Sequence, residues 1–234
     1  MKSTIILFAH LFGLLAVAAP AYSVTLVDGD FSSWTLGSAG NGTAFTTLES
    51  TGGNPGARLK INTITPTSTT RASGTAIKTD FSDNTPINGN TFALSLDFLS
   101  GPGAFGQGQS IGLLIAQGGS VYTNGSGIGL GVTGVSPNYK TITFTGSFIE
   151  SQFTRLTGSG SLNPDFVSGV STSFGFAATN SGSNNLTQYY DNFRLETFAV
   201  PTAVPEPFTI IGTLVGGTAA LRMRKKLTPF PPKK

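Results

Sequence analysis

The chain has 234 residues, a formal net charge of +3 and no cysteine. Disulfides and cysteine-ligated metal sites are therefore excluded, and the fold must be stabilised by burial of a core. The only histidine is His10, so the rest of the chain contains no Ser-His-Asp triad, no Cys-His pair and no histidine-ligated zinc.

Residues 1–23 have the pattern of a secretory signal peptide. Lys2 supplies a positive charge, residues 5–18 are apolar apart from His10, and small residues follow at the spacing of a cleavage site. We predict cleavage after Ser23, with Ala21 as the alternative, and therefore export of the segment that follows.

The charges argue against nucleic acid as a partner. Residues 24–204 carry seven basic and ten acidic residues, a net charge of −3, so the excess of positive charge lies in the two ends of the chain. Because this region has no cluster of Lys or Arg, it has little with which to neutralise phosphates.

Residues 24–198 are predicted to form an all-β exterior domain. In 91–99, Phe92, Leu94, Leu96 and Phe98 alternate with residues that face the other way, and we expect these four to face a core. Further strands are predicted at 24–27, 43–48, 57–64, 75–81, 110–117, 127–133, 140–149, 152–157, 171–179 and 186–198. Turn residues separate them, at 52–56, 88–90, 101–103 and 181–184 among others. Ten or so short strands favour a two-sheet sandwich over a barrel with a lumen, and 199–204 is predicted to be a linker.

Two short segments resemble the ends of jelly-roll carbohydrate-binding modules. Residues 27–34, VDGDFSSW, are similar to the opening of those modules, and residues 189–195, YYDNFRL, are similar to their closing strand. The resemblance implies a jelly-roll-like sandwich in which the first and last strands lie together. Asp28 replaces the usual Asn of that pattern, and Ser32 replaces the usual Glu.

The same resemblance implies two kinds of site. Related jelly rolls hold a structural calcium ion, which suggests Asp28, Asp30 and Asp191 as ligands; the alternative is that these carboxylates only bond nearby backbone. Sugar binding by such modules uses aromatic faces, which suggests Trp34 and Tyr190, although the opening Trp of those modules, whose place Trp34 takes, is often packed inside. No catalytic residues are predicted, because glycosidases need two carboxylates at a defined separation and no motif pairs any here.

The C-terminal stretch consists of three successive parts. Pro205, Glu206 and Pro207 come first, then the uncharged residues 208–221, then a basic cluster of Arg222, Arg224, Lys225 and Lys226. As a helix, 208–221 would be roughly 21 Å long at about 1.5 Å per residue, shorter than a usual membrane span. The alternative is a buried helix, for which its glycines and threonines are poorly suited. The basic cluster would stay on the cytoplasmic side of the membrane.

These three parts, residues 205–226 followed by a tail at 227–234, resemble the PEP-CTERM sorting signal of exported bacterial proteins. That resemblance implies exosortase as a partner, an inner-membrane intermediate, and a final location at the cell surface or outside the cell among extracellular polysaccharide. The function expected from the sequence is a non-enzymatic structural or adhesive role in that layer. The alternatives are a specific carbohydrate-binding module and, less favoured, a degenerate glycoside hydrolase or lyase.

Overall fold

The computed structural model describes residues 23–103, 109–124, 128–129, 138–182 and 184–199. Within them the chain forms a short 3-10 helix, Glu150–Gln152, and thirteen β-strands. The strands are β1 Thr25–Asp28, β2 Trp34–Gly40, β3 Thr43–Gly53, β4 Gly56–Thr65, β5 Ala72–Lys78, β6 Thr91–Gly103, β7 Gln109–Gln117, β8 Ser120–Asn124, β9 Ile128–Gly129, β10 Lys140–Ser147, β11 Phe153–Thr157, β12 Ser173–Asn180 and β13 Asn184–Phe198.

The strands form a jelly-roll-like sandwich of two curled antiparallel sheets, as predicted. Sheet A has the order β10-β6-β13-β4-β3, with β1 also paired to β13. Sheet B has the order β11-β8-β7-β12-β5-β2, with β9 also paired to β7. Alternation of side chains on each strand gives each sheet one face toward the core and one face outward.

The first and last strands lie side by side, as the resemblance implied. Strand β1 pairs with the second half of β13, with Thr25 opposite Glu196 and Asp28 opposite Phe193. The first half of β13 pairs with β4 along the same edge, and β6 lines its other edge. Strand β13 is therefore bonded on both sides and is central to sheet A.

The core lies between the two sheets. On β6 the four predicted inward residues are all buried, at 4% exposure or less. Fully buried phenylalanines of β12, Phe174 and Phe176, lie in the same core cluster. Truncating one such phenylalanine to Ala would cost about 3–5 kcal/mol, so this aromatic cluster supplies much of the stability of a domain without disulfides.

Three local predictions were wrong. Strands β2 and β8 were not predicted, since glycine and serine interrupt the apolar pattern of β2, and β8 is short. The segment 101–103, predicted as a turn, is the end of the long strand β6. Close packing leaves room only for glycine at position 101, because a Cβ atom there would lie 2.8 Å from the ring of Tyr189.

The described residues lie in a compact unit, Ala21–Val200. Within the part of the chain that the structure describes, no helix has the length and apolar character needed to cross a membrane. Apart from Ser23 and Ala199, the predicted signal peptide, linker, sorting signal and tail lie outside the described residues.

Candidate ligand-binding cavity

The two aromatic residues predicted to bind sugar are core residues. Trp34 is 8% exposed and packs edge-to-face on Phe31 and Phe193. Tyr190 is fully buried between Phe98 and Phe176. Neither ring can offer a face to an external ligand, so this prediction was wrong. The reason is positional, since both side chains point inward from their strands.

Of the three predicted calcium ligands, Asp28 is held by a cation of the protein itself. Its Oδ2 lies 2.5 Å from Nζ of Lys78, and its Oδ1 accepts hydrogen bonds from the backbone amides of Asp30 and Phe31. Although burial opposes the shift, the Lys78 ammonium and the backbone amides lower the pKa of Asp28 to about 2. Asp28 is therefore an ionised partner of Lys78.

Asp30 and Asp191 also have their own partners. Asp30 accepts hydrogen bonds from both the amide and the hydroxyl of Ser32. Asp191 is fully buried and accepts from the backbone amides of Asn54 and Asn192. Among the described residues, no three acidic or histidine side chains are grouped as metal ligands. The predicted set of Asp28, Asp30 and Asp191 is thus not assembled there, and calcium binding stays a prediction.

A separate cavity lies on the outer face of sheet B. On β7, Ile111, Leu113 and Ile115 point into the core, so Ser110 and Gly112 point outward. The same alternation turns Ser73 of β5 and Thr179 of β12 outward. Because Ser73 is opposite Thr179 and Thr179 is opposite Ser110, hydroxyl side chains form a straight row across three neighbouring strands.

The cavity has a volume of about 240 Å³ and extends across the whole sheet. Strands β2 and β11, at opposite ends of the strand order, both contribute to it, which shows that sheet B is concave on this side. Its lining consists of Gly40, Arg71, Ser73, Ser110, Gly112, Thr123, Asn124, Thr154, Leu156 and Thr179. Every side chain in this lining is therefore neutral except that of Arg71.

Several of these hydroxyl groups are free to bond a ligand. Ser73 and Thr179 bond each other at 2.8 Å, whereas the hydroxyls of Ser110, Thr123 and Thr154 have no partner among the described residues. At Gly112 a Cβ atom would come within 2.9 Å of Thr123 Oγ1, so this floor position has no room for a side chain. A ligand could therefore approach the backbone closely beside unpaired donors and acceptors.

An apolar cluster fills the same face beyond the cavity. Leu114 and Ala177 are buried at 0% and 2% exposure, and they pack with Ile77, Val121 and Leu156. Leu156 belongs to both the cluster and the cavity lining. The outer face of sheet B therefore has an open hydroxyl-rich part and a closed apolar part.

A second, larger cleft of about 710 Å³ lies beside the segment 159–170. Its polar groups mainly hold that segment in place. Gln117 donates to the carbonyl of Asp165 and accepts from its amide. Asp165 accepts hydrogen bonds from the amides of Ser168 and Val167, and these bonds lower the pKa of its carboxyl. Glu150 accepts a hydrogen bond from the amide of Phe166. Since these groups are already satisfied, the cleft is a weaker candidate for ligand binding.

No residue of the sheet B cavity was predicted from the sequence. The alternation in 109–117 was sufficient to place Ser110 outward, but nothing in a run of serines and threonines distinguishes a cavity from an ordinary outer face. Strand β8, which supplies Thr123, had been missed altogether. Its signal was the pair Gly118-Gly119, both with positive φ, which forms the two-residue turn of the β7–β8 hairpin.

No known protein-family model matches this chain, and no curated protein sequence matches it. Among solved structures, the chain is similar to a family 11 carbohydrate-binding module from Clostridium thermocellum in complex with a beta-1,3-1,4-mixed-linked tetrasaccharide. The identity is 15%, the match covers 73% of this chain and 94% of that chain, and the TM-score is 0.40.

Two further solved structures are similar over comparable lengths of this chain. The CBM22-1 xylan-binding domain from Paenibacillus barcinonensis is 12% identical, with 79% of this chain and 99% of that chain covered and a TM-score of 0.37. An exo-beta-agarase is 15% identical, with 77% of this chain and 26% of that chain covered and a TM-score of 0.38. Similarity at this level does not assign a function.

Proposed function

We propose that this domain binds a polysaccharide in the cavity on the outer face of sheet B and does not act on it chemically. The observation that supports the proposal is the lining itself: a concave surface with unpaired hydroxyls at Ser110, Thr123 and Thr154 beside small residues. A sugar chain presents many neutral hydroxyl groups, which such a lining can match. Because the lining contains no carboxylate, it lacks the acid and base that glycoside hydrolysis needs.

Hydrogen bonds would supply most of the affinity. None of the lining residues is aromatic, so stacking against a sugar ring does not contribute. A neutral hydrogen bond contributes about 0.5–1.5 kcal/mol net. Several such bonds would give weak binding at a single cavity. Binding of this kind suits an adhesive role, in which many copies of the protein share one long polymer.

The proposal also covers the location of the protein. An exported domain held at the cell surface by a sorting signal would meet polysaccharide there, and the role expected from the sequence, a structural or adhesive one, would then depend on the cavity. Exosortase processing at residues 205–226 and membrane insertion at 208–221 are parts of this proposal that rest on the sequence alone.

The test is a binding measurement on the purified protein with a panel of soluble polysaccharides. Ser110→Phe fills the cavity and should abolish binding, and Thr123→Val, which removes an unpaired hydroxyl at constant shape, should weaken it several-fold. Thr143→Val is the matched control, because Thr143 is an exposed threonine on β10 of the other sheet. If a bound polysaccharide is retained equally by Ser110→Phe and Thr143→Val, the cavity is not the binding site.

A further inference from the structure

We propose that the polysaccharide bound in the sheet B cavity is acidic, and that the guanidinium of Arg71 holds its carboxylate or sulfate groups. This inference rests on the proposed function, because it assigns a chemical class to the ligand of the same cavity. It follows from how the cations of the domain are used, from where Arg71 lies, and from how its backbone is held.

Most cations of the described domain already have partners. Arg58 and Lys60 pair with Glu49, Lys78 pairs with Asp28 and Asp80, and Arg194 pairs with Glu196. The guanidinium of Arg155 donates to the carbonyls of Gly160 and Ser161. Among the described residues this leaves the side chains of Arg71 and Lys140 without an anionic or hydrogen-bonding partner.

Only one of these two unpaired cations lines either of the two cavities described above. Arg71 lines the sheet B cavity, where it is the only charged residue, and neither of the two cavities has Lys140 in its lining. Arg71 is exposed, so its guanidinium is solvated and remains open to a ligand. At the sheet B cavity it creates a positive field with no carboxylate nearby in the lining to cancel it.

The backbone of Arg71 is fixed at both of its polar groups. Its amide donates to Oδ1 of Asn41 at 2.7 Å, and its carbonyl accepts from the amide of Gly42 at 2.8 Å. Arg71 directly precedes β5, and alternation along that strand places it on the same face as Ser73. The side chain therefore starts from a rigid position beside the hydroxyl row, which reduces the ordering required to bind an anion.

A guanidinium suits this ligand better than an ammonium would. Its planar fork can donate two parallel hydrogen bonds to one carboxylate, and such charge-assisted bonds are roughly twice as strong as neutral ones. The adjacent hydroxyls of Ser73 and Thr179 could bond the neutral hydroxyl groups of the same sugar residue. Arg71 would thus distinguish an acidic sugar from its neutral counterpart.

The experiment compares matched polymers on the full chain: polygalacturonate with its carboxyl-reduced form, and dextran sulfate with dextran. We expect at least one acidic polymer to bind about tenfold more tightly than its neutral partner, and this preference to fall as salt is added. Arg71→Gln should remove the preference, and Arg71→Lys should restore it only in part. Lys140→Gln, which removes the other unpaired cation, should leave it unchanged.

The outcomes separate this inference from the function on which it rests. If neutral and acidic polymers bind equally, and Ser110→Phe abolishes both, the cavity binds polysaccharide and the acidic preference is wrong. A preference that Lys140→Gln reduces as much as Arg71→Gln reflects general charge and also overturns the inference. If no polymer binds, both proposals fail. Preference for the polyuronate alone or for the sulfated polymer alone identifies which anion Arg71 holds.

Discussion

Asp97 and Asp191 lie opposite each other on β6 and β13, and two asparagines each bond both carboxylates. The backbone amide of Asn192 donates a hydrogen bond to Asp191 at 2.7 Å, and its side-chain Nδ2 donates one to Asp97 at 2.8 Å. Asn54 lies in the turn between β3 and β4. Its backbone amide donates a hydrogen bond to Asp191, and its side-chain Nδ2 donates one to Asp97 at 3.2 Å. The asparagines thereby connect the β3–β4 turn to the centre of sheet A.

The two opposed carboxyls respond differently to their surroundings. Burial raises the pKa of Asp191, and the charge of Asp97 raises it further. Hydrogen bonds from the backbone amides of Asn54 and Asn192 act in the opposite direction but do not cancel the rise. Burial also opposes ionisation of Asp97, but hydrogen bonds from Asn192, Thr141 and Asn54 more than offset it and lower its pKa. Asp97 is therefore the member of the pair that ionises more readily.

Our first prediction concerns Asn192, which has a positive φ of 49°. Asn192→Gly keeps this backbone conformation but removes the side-chain bonds to Asp97 and to the carbonyl of Asn54. We expect it to lower the free energy of unfolding by about 2 kcal/mol. Asn192→Ala should cost about 1 kcal/mol more, because a Cβ atom is strained at positive φ. Chemical denaturation measures both, and equal stability of the two variants would contradict the backbone argument.

The second prediction tests calcium. A cation bound beside Asp191 would reduce the repulsion between Asp97 and Asp191, and a ligand held only by the folded state stabilises it. We therefore expect millimolar calcium to raise the melting temperature relative to chelator, and Asp191→Asn to abolish that rise. Asp30→Asn is the comparison, because the structure commits this carboxylate to Ser32. Identical melting curves with calcium and with chelator would remove the site.

The third prediction concerns the acid stability that Asp28 provides. Because its folded-state pKa of about 2 lies below its ordinary value of 3.8, the ionised carboxylate stabilises the fold above pH 4, and this contribution is lost as the pH falls toward 2. We expect Asp28→Asn to lower the free energy of unfolding at pH 7 by about 1–2 kcal/mol. The difference from the native protein should disappear near pH 2. A deficit that persists there would mean that packing, and not charge, is lost.

The fourth prediction addresses Tyr190. Its hydroxyl is buried without a hydrogen-bond partner among the described residues, and burial raises its pKa well above 10. We expect Tyr190→Phe to unfold at the same denaturant concentration as the native protein or a higher one, because an unpaired buried hydroxyl costs free energy. Tyr139→Phe is the control, since it removes a bond of 2.8 Å to the carbonyl of Gly52 and should destabilise the protein. Polysaccharide affinity should not change in Tyr190→Phe.

The fifth prediction concerns sorting. We expect the surface-associated protein to end near residues 205–207, because a short apolar segment followed by a basic cluster holds the chain only transiently while a membrane-embedded enzyme cuts beside it. Replacing Pro205 and Pro207 by Ala should leave full-length protein in the membrane. Mass spectrometry of the surface protein decides this: a C-terminal peptide that contains residues 221–234 would make the segment a permanent anchor.

The sequence predicted most of the strands but did not reveal the cavity on sheet B, for a physical reason. Alternation along 91–99 identifies which residues face a core, and the core of β6 follows it. Alternation cannot say which of two outer faces is concave, because curvature depends on how distant strands pair. Trp34 and Tyr190 resembled ligand-binding residues in the linear pattern, yet both point inward. Arg71 stands in a run of threonines and serines, and the sequence alone does not show that most of the other cations are paired.

The position of β13 has a mechanical consequence. Force applied between the two ends of the domain would unzip β1 from β13 one pair at a time, because these strands are antiparallel and their outer ends are adjacent. Strand β13 itself is paired with β6 along one edge and with β4 and β1 along the other, so pulling it along its own axis would require the ladders on both sides to shear together. Shearing β13 out of sheet A would therefore need far greater force than unzipping β1 from its edge.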